Sequence, residues 1–322
     1  MKLNRNKNQK KFAAALLPIL GLAVFVFTDF NRNNPRPLKS QIPDSPEVLG
    51  QTIERTRGSE IDFQVLKPNI KHLIKINFDA VSAKAFAVVD EHSNTVLFEK
   101  NPHEKLPIAS LTKLMTSLLA FERLDSNAFI TASKKDTFNV SPSLYFSAGE
   151  EIKILNLLEA VLVCSANDAA RALANAVSRQ SKQNFTSLMN ERAKELELIE
   201  TNFSNPLGFD SNDNYSSVSD LLKLTNFTQS LAVFKNLGKR TEVGFVSKFE
   251  KNFECKATNK LLGKDLEIES IKTGYTENAR GSIIARVKRG QISLLIIVVG
   301  SEDREQDLLK LSELSFENFD WK

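Results

Sequence analysis

The stretch Pro107-Ile-Ala-Ser-Leu-Thr-Lys-Leu-Met-Thr116 places a serine and a lysine three residues apart, at the head of the apolar run Leu111 to Phe121. An apolar run of that length predicts a buried helix opening near Ser110. Residues i and i+3 share a helix face, so Ser110 and Lys113 are expected to meet side chain to side chain. A serine hydroxyl is a poor nucleophile until an adjacent base removes its proton. Lysine acts as that base only when its pKa falls, by burial or through a second cation nearby. Taken alone, Ser-x-x-Lys is an ordinary solvated pair.

Two further pieces follow in order. Ser165-Ala-Asn167 closes a second apolar stretch. Lys272-Thr-Gly274 follows Leu266-Glu-Ile-Glu-Ser-Ile271, whose alternation predicts a strand. Each is common by itself, since a lone Lys-Thr-Gly usually marks a turn. The three in fixed order are far rarer, and Lys272 is a candidate for the second cation. Together they describe a serine acyl-transfer site without histidine.

This set resembles the D-alanyl-D-alanine carboxypeptidases, the low-molecular-mass penicillin-binding proteins. The likeness extends beyond the motifs. Phe86-Ala-Val-Val-Asp90 with Asn94-Thr-Val-Leu-Phe98 is similar to the family's opening hairpin. Gly149-Glu150, Leu157-Leu-Glu-Ala160 and Ser165-Ala-Asn-Asp-Ala-Ala170 resemble its second-motif helix and lead-in. Met189-Asn190, Ala193, Leu196, Thr201, Phe203 and Asn205-Pro-Leu-Gly208 follow its helix-to-loop pattern, and Ser216-Ser-Val-Ser-Asp220 its next helix start. The strand Leu294 to Gly300 also matches, so the resemblance spans about Ala80 to Leu311.

The resemblance implies an α/β (α+β) fold. An antiparallel sheet is flanked by helices, joins N- and C-terminal strands, and so brings residues near 90 and 290 together. An all-helical lobe is expected over about 117–240, with the site in the cleft between lobe and sheet. It also implies roles. Ser110 attacks the penultimate D-alanine carbonyl, Lys113 takes its proton, and Ser165 relays that proton to the leaving amine. Asn167 binds the substrate amide and helps hold Lys113. Lys272 and Thr273 receive the terminal carboxylate, and Gly274 lets the substrate approach the strand. The backbone N–H groups of Ser110 and Tyr275 form the oxyanion hole. The implied partners are peptidoglycan stem peptides ending in D-Ala-D-Ala, with β-lactam antibiotics as inhibitors. No cofactor or metal is expected.

There are departures. The family commonly has a glycine where this chain has Ala279-Arg280-Gly281, so that loop is expected to differ in shape. Arg280 is a solvated charge or a contact to an anionic substrate; Arg304 is the candidate for the family's carboxylate-binding arginine. The chain ends at Lys322 without the β-rich domain and amphipathic anchor of many relatives. A serine β-lactamase is an alternative, but no Glu-x-x-Leu-Asn segment lies between Asn167 and Lys272. A catalytically silent wall-binding scaffold is another, which six intact motif residues argue against. Carboxypeptidase and endopeptidase action stay undivided at this point.

The 322 residues are 42% hydrophobic and 25% charged, enough for one sizeable globular unit and extra segments. The +4 charge is local. Residues 1–11 hold Lys2, Arg5, Lys7, Lys10 and Lys11 with no acid, leaving 38 basic against 39 acidic residues elsewhere. A neutral body gives no electrostatic support for nucleic acid. Phe12 to Thr28 is uncharged, and as a helix would span about 25 Å. No small-x-small site follows it, which favours an uncleaved single-pass anchor over a secreted, cleaved form. The tail then stays cytoplasmic and the rest lies outside the cell membrane. Residues 29–75 read as a proline-bearing linker or stalk, Glu60 to Lys75 alternatively as a short strand, and 76–322 as the peptidase domain.

Cys164, in an apolar stretch, reads as a buried thiol; a bridge to Cys255 is the alternative outside the cytoplasm. His72, His92 and His103 all precede the nucleophile without metal-ligand spacing, so neither a zinc site nor a Ser-His-Asp triad is supported.

Overall fold

The computed structural model describes residues 68–71, 77–137, 141–263 and 267–322. The basic tail, the apolar segment 12–28 and the linker up to residue 67 lie outside the described residues. Among the described residues, no helix is long and apolar enough to cross a membrane.

Seven strands carry the argument: β1 (Ala85–Asp90), β2 (Thr95–Lys100), β3 (Glu242–Val246), β4 (Asn252–Lys256), β5 (Glu267–Thr276), β6 (Arg280–Arg289) and β7 (Ile292–Ser301). The main sheet is antiparallel, in the order β5-β6-β7-β1-β2. Leu294 pairs with Asp90 and Val299 with Ala85, so residues near 90 and 290 share one sheet as the resemblance implies. β3 and β4 form a separate hairpin.

The central strands are buried on both faces, which is why they lack a polar alternation. Their side chains still sort by a period of two. Ala85, Ala87, Val89, Ile284, Leu295, Ile297 and Val299 face the helical lobe. Phe86, Val88, Ile283, Ala285, Val287, Ile296 and Val298 face the other way, onto Leu308, Leu311 and Phe316. Those last three belong to a C-terminal helix, Arg304–Asn318. The structure therefore has two cores, one on each side of the sheet.

The lobe contains α1 (Lys113–Arg123), α2 (Ile154–Val163), α3 (Asn167–Ser181), α4 (Phe185–Glu195) and α5 (Val218–Ser230); the C-terminal helix is α6. Alanines at 169, 170, 172, 174 and 176 give α3 a small-residue face, letting it pack closely on α1 and α2. Asn184 and Ser217 cap α4 and α5 by accepting from Ser187 N and Asp220 N. Pro68–Ile70, inside the segment read as stalk, pairs with Phe319–Trp321. Those three residues take the short-strand alternative instead.

Candidate active site

Leu106–Pro107 pairs with Tyr215–Ser216 and delivers the chain into a tight 3-10 turn, Ala109–Thr112. α1 begins at Lys113, so Ser110 lies in the turn before the helix and not on its first residue. Ala109 holds φ +46°, a left-handed conformation that only a small residue adopts cheaply. The i,i+3 relation survives this change. Lys113 Nζ is 2.8 Å from Ser110 Oγ.

A second partner of Lys113 comes from far along the chain. Its amine donates to the Leu207 carbonyl at 2.6 Å. That carbonyl belongs to Asn205-Pro-Leu-Gly208, a loop held by Asn205 Oδ1 accepting from the backbone of Leu207, Gly208 and Phe209. Thr116 Oγ1 also donates to Pro206 O. Sequence pattern marked the loop; it did not indicate that a carbonyl on it would orient the base.

Lys113 is wholly buried, and desolvation lowers its pKa to about 7. A neutral amine can accept the serine proton while an N–H stays on Leu207 O. The second cation expected from the sequence, Lys272, is brought near Lys113 by the fold. Lys272, also fully buried, is held well below its usual range by burial first, then by the charges of Lys113 and Arg304. Burial is the main cause of the lowered pKa of Lys113.

Lys272-Thr-Gly lies within β5 and does not follow a strand. β5 is an edge of the sheet, and such an edge can accept a further strand through its backbone. Lys272 Nζ donates to Thr273 O at 2.8 Å. A Cβ on Gly274 would lie 2.9 Å from Ser110 N and 3.1 Å from Ile108 O. The missing side chain therefore seats β5 against the nucleophile turn. Tyr275 is exposed beside this junction.

The second motif sits between α2 and α3. Ser165 has φ +62°, and its Oγ is buried with no protein hydrogen-bond partner among the described residues. Asn167 N donates to Pro142 O at 2.7 Å. Asp168, buried, accepts from Leu144 N, Tyr145 N and Ala169 N, and so ties the loop bearing exposed Tyr145 to this motif. Burial raises its pKa against those bonds.

Cys164 and Cys255 form a disulfide, which corrects the free-thiol reading. Both residues sit among apolar neighbours, but nothing local in the sequence indicates that β4 lies against the end of α2. Arg304 donates to Gly274 O at 2.8 Å and to Thr258 O at 3.4 Å, so the carboxylate-binding candidate does stand beside the third motif. Arg280 is solvated, 3.9 Å from Glu302. Its φ is +56°, the position after a three-residue hairpin loop where glycine is favoured. Among the described residues, no His, Cys, Asp and Glu cluster able to hold a metal occurs.

Fold and site together define a class: a helical lobe on an antiparallel sheet, with the Ser-x-x-Lys turn packed against the strand that carries Lys-Thr-Gly, and Ser-x-Asn at the junction of α2 and α3. The chain belongs to the D-alanyl-D-alanine carboxypeptidase family, which it matches over residues 73–303. It is 29% identical over 256 residues to the D-alanyl-D-alanine carboxypeptidase DacF of Bacillus subtilis, covering 75% of this chain and 64% of that one. The chain thus spans less than two thirds of that relative. It resembles penicillin-binding protein D2 of Listeria monocytogenes, solved in an ampicillin-bound form, with a TM-score of 0.63 and 28% identity over 75% of this chain and 100% of that one. The Streptomyces K15 DD-transpeptidase shares the fold, with a TM-score of 0.69 and 23% identity over 76% of this chain and 100% of that one.

Proposed function

We propose that this protein is a serine D-alanyl-D-alanine carboxypeptidase that removes the terminal D-alanine from peptidoglycan stem peptides and is acylated by penicillins. The observation that carries this reading is the buried amine of Lys113, 2.8 Å from Ser110 Oγ and close to the edge strand of the sheet that bears Lys272-Thr-Gly. The peptide adds to that edge as a strand. Its terminal carboxylate meets Lys272, Thr273 Oγ1 and the positive field of Arg304. Ser110 Oγ attacks the penultimate carbonyl as its proton passes to Lys113. The N–H groups of Ser110 and Tyr275 hold the oxyanion, a contribution worth about 3 kcal/mol of barrier per donor. Ser165 carries the proton onward to the departing D-alanine, while Asn167 holds the substrate amide. Water releases the shortened peptide.

The basic tail and uncharged segment 12–28 support a single-pass membrane anchor with the catalytic domain outside. The disulfide agrees with that oxidising side of the membrane.

Free D-alanine released from a Lys-D-Ala-D-Ala peptide, beside the Ser110→Ala variant, tests the reading. Release that requires Ser110 is expected. A folded protein that releases none but turns over penicillin quickly would instead be a β-lactamase.

A further inference from the structure

The second and third motifs are joined by a segment that none of the mechanism above uses. Cys255 pairs with Val243 near the end of β4, and its disulfide reaches Cys164, the residue immediately before Ser165. Three residues on, Thr258 N donates to Val163 O at 3.3 Å, a second tie to the end of α2. Ala257 N donates to Thr241 O at 2.8 Å, which holds the segment's course. The Thr258 hydroxyl then hydrogen-bonds the Thr273 hydroxyl, and Arg304 bonds the Thr258 carbonyl. A hydroxyl is one donor with two acceptor sites. A donating Thr258 leaves the Thr273 proton free for an incoming carboxylate.

The hairpin of β3 and β4 gives little rigidity on its own, since two strands are marginal without support. Its anchorage comes from Val243 and Phe253 in the lobe core and from the covalent bond to α2. Residues 255–258 thus link the end of α2, next to Ser165, to Thr273.

We propose that Cys164–Cys255 and Thr258 form a positioning strap that orients the Thr273 hydroxyl for the substrate carboxylate at a fixed span from Ser165. The strap rests on the functional reading above for its substrate, and on geometry for its existence. Thr258 is a positioning residue, acting through Thr273.

The test uses the full-length chain in detergent and a fluorescent penicillin, whose carboxylate is the group recognised. Its acylation separates into a binding constant and a first-order acylation rate. Thr258→Val keeps the shape and removes the hydroxyl. It is expected to weaken binding about tenfold, the worth of one hydrogen bond, and to leave the acylation rate within about twofold. Thr258→Ser should restore binding. The double variant Cys164→Ala/Cys255→Ala should weaken binding too, and adding Thr258→Val to it should cost less than about threefold more, because both act through one strap. Unchanged binding in Thr258→Val, a serine variant as poor as valine, or fully multiplicative effects would each overturn the proposal. Should the cysteine variant fail to fold, the valine and serine pair decides alone. Amide hydrogen exchange of residues 267–276 needs no activity. It should quicken in Thr258→Val and not in Thr258→Ser. The strap stands or falls on that result even if the wild-type chain takes no penicillin, an outcome that would sink only the functional reading.

Discussion

A Cβ added to Gly208 would lie 1.9 Å from the carbonyl oxygen of Ala109, the residue before the nucleophile. The loop that positions Lys113 is thus seated directly on the backbone of the turn that positions Ser110. Base and nucleophile are registered to each other by contact between two main chains.

Gly208 also holds φ +80°. Gly208→Ala therefore meets both strain and a backbone clash, and should cost roughly 2–5 kcal/mol of stability. The variant's melting temperature reads the cost. Folded Gly208→Ala protein should label with penicillin much more slowly, since the Leu207 carbonyl moves with the loop.

Lys113 works as a base when neutral, and burial brings its pKa to about 7. Acylation should fall about tenfold per pH unit below that value and level off above it. Stability follows the same group. Unfolded, the lysine keeps its proton up to about 10.5, so between about 7 and 10.5 the unfolded chain binds more protons. Stability should rise with pH across that window, with the penalty for burying the charge fully present below 7. Urea melts from pH 6 to 9 on wild type and Lys113→Met check it: the variant should show a smaller slope. Lys113→Arg, which stays protonated, should be inactive throughout.

Asp168 receives three backbone N–H groups. Asp168→Asn keeps the volume but turns a donor amide toward those donors. A loss of roughly 2–4 kcal/mol is expected, with penicillin acylation slowed because Leu144 and Tyr145 lose their tie to the second motif. Equal melting temperatures for variant and wild type would refute the role.

Arg286 lies at the far end of β6 from the Lys272-Thr-Gly junction, held by Glu91 through two nitrogens and by Glu269 at 2.7 Å. Those carboxylates keep its pKa raised. Arg286→Met leaves Glu269 and Glu91 short of a partner and should cost about 3–5 kcal/mol. Labelling per folded molecule should stay unchanged, which separates sheet stability from chemistry.

Arg280→Gly relieves a left-handed φ at an exposed position, and should raise stability by about 0.5–1 kcal/mol in thermal melts. No gain would mean that the 3.9 Å contact with Glu302 compensates.

The strands β1, β2 and β7 were readable because their signal is local: a short apolar run bounded by polar residues describes itself. The apolar run predicts a helix opening near Ser110; a 3-10 segment opens there and α1 follows at Lys113, with Gly208 and Gly274 packed closely on Ala109. Lys272-Thr-Gly was placed after its strand and lies inside it, since pairing with β6 extends the strand to Thr276.

By itself the sequence determined the reacting groups, their order and the family, because residue type and short spacing carry chemical identity. Only the tertiary structure decided what tunes and orients them. Lys113 finds Leu207 across 94 positions and Cys164 finds Cys255 across 91. Thr258 meets Thr273 only when β5 has docked beside the end of α2. Burial of Lys113 likewise comes from elements packed around it. Contacts between distant segments depend on how faces pack, and no local pattern of residues encodes that.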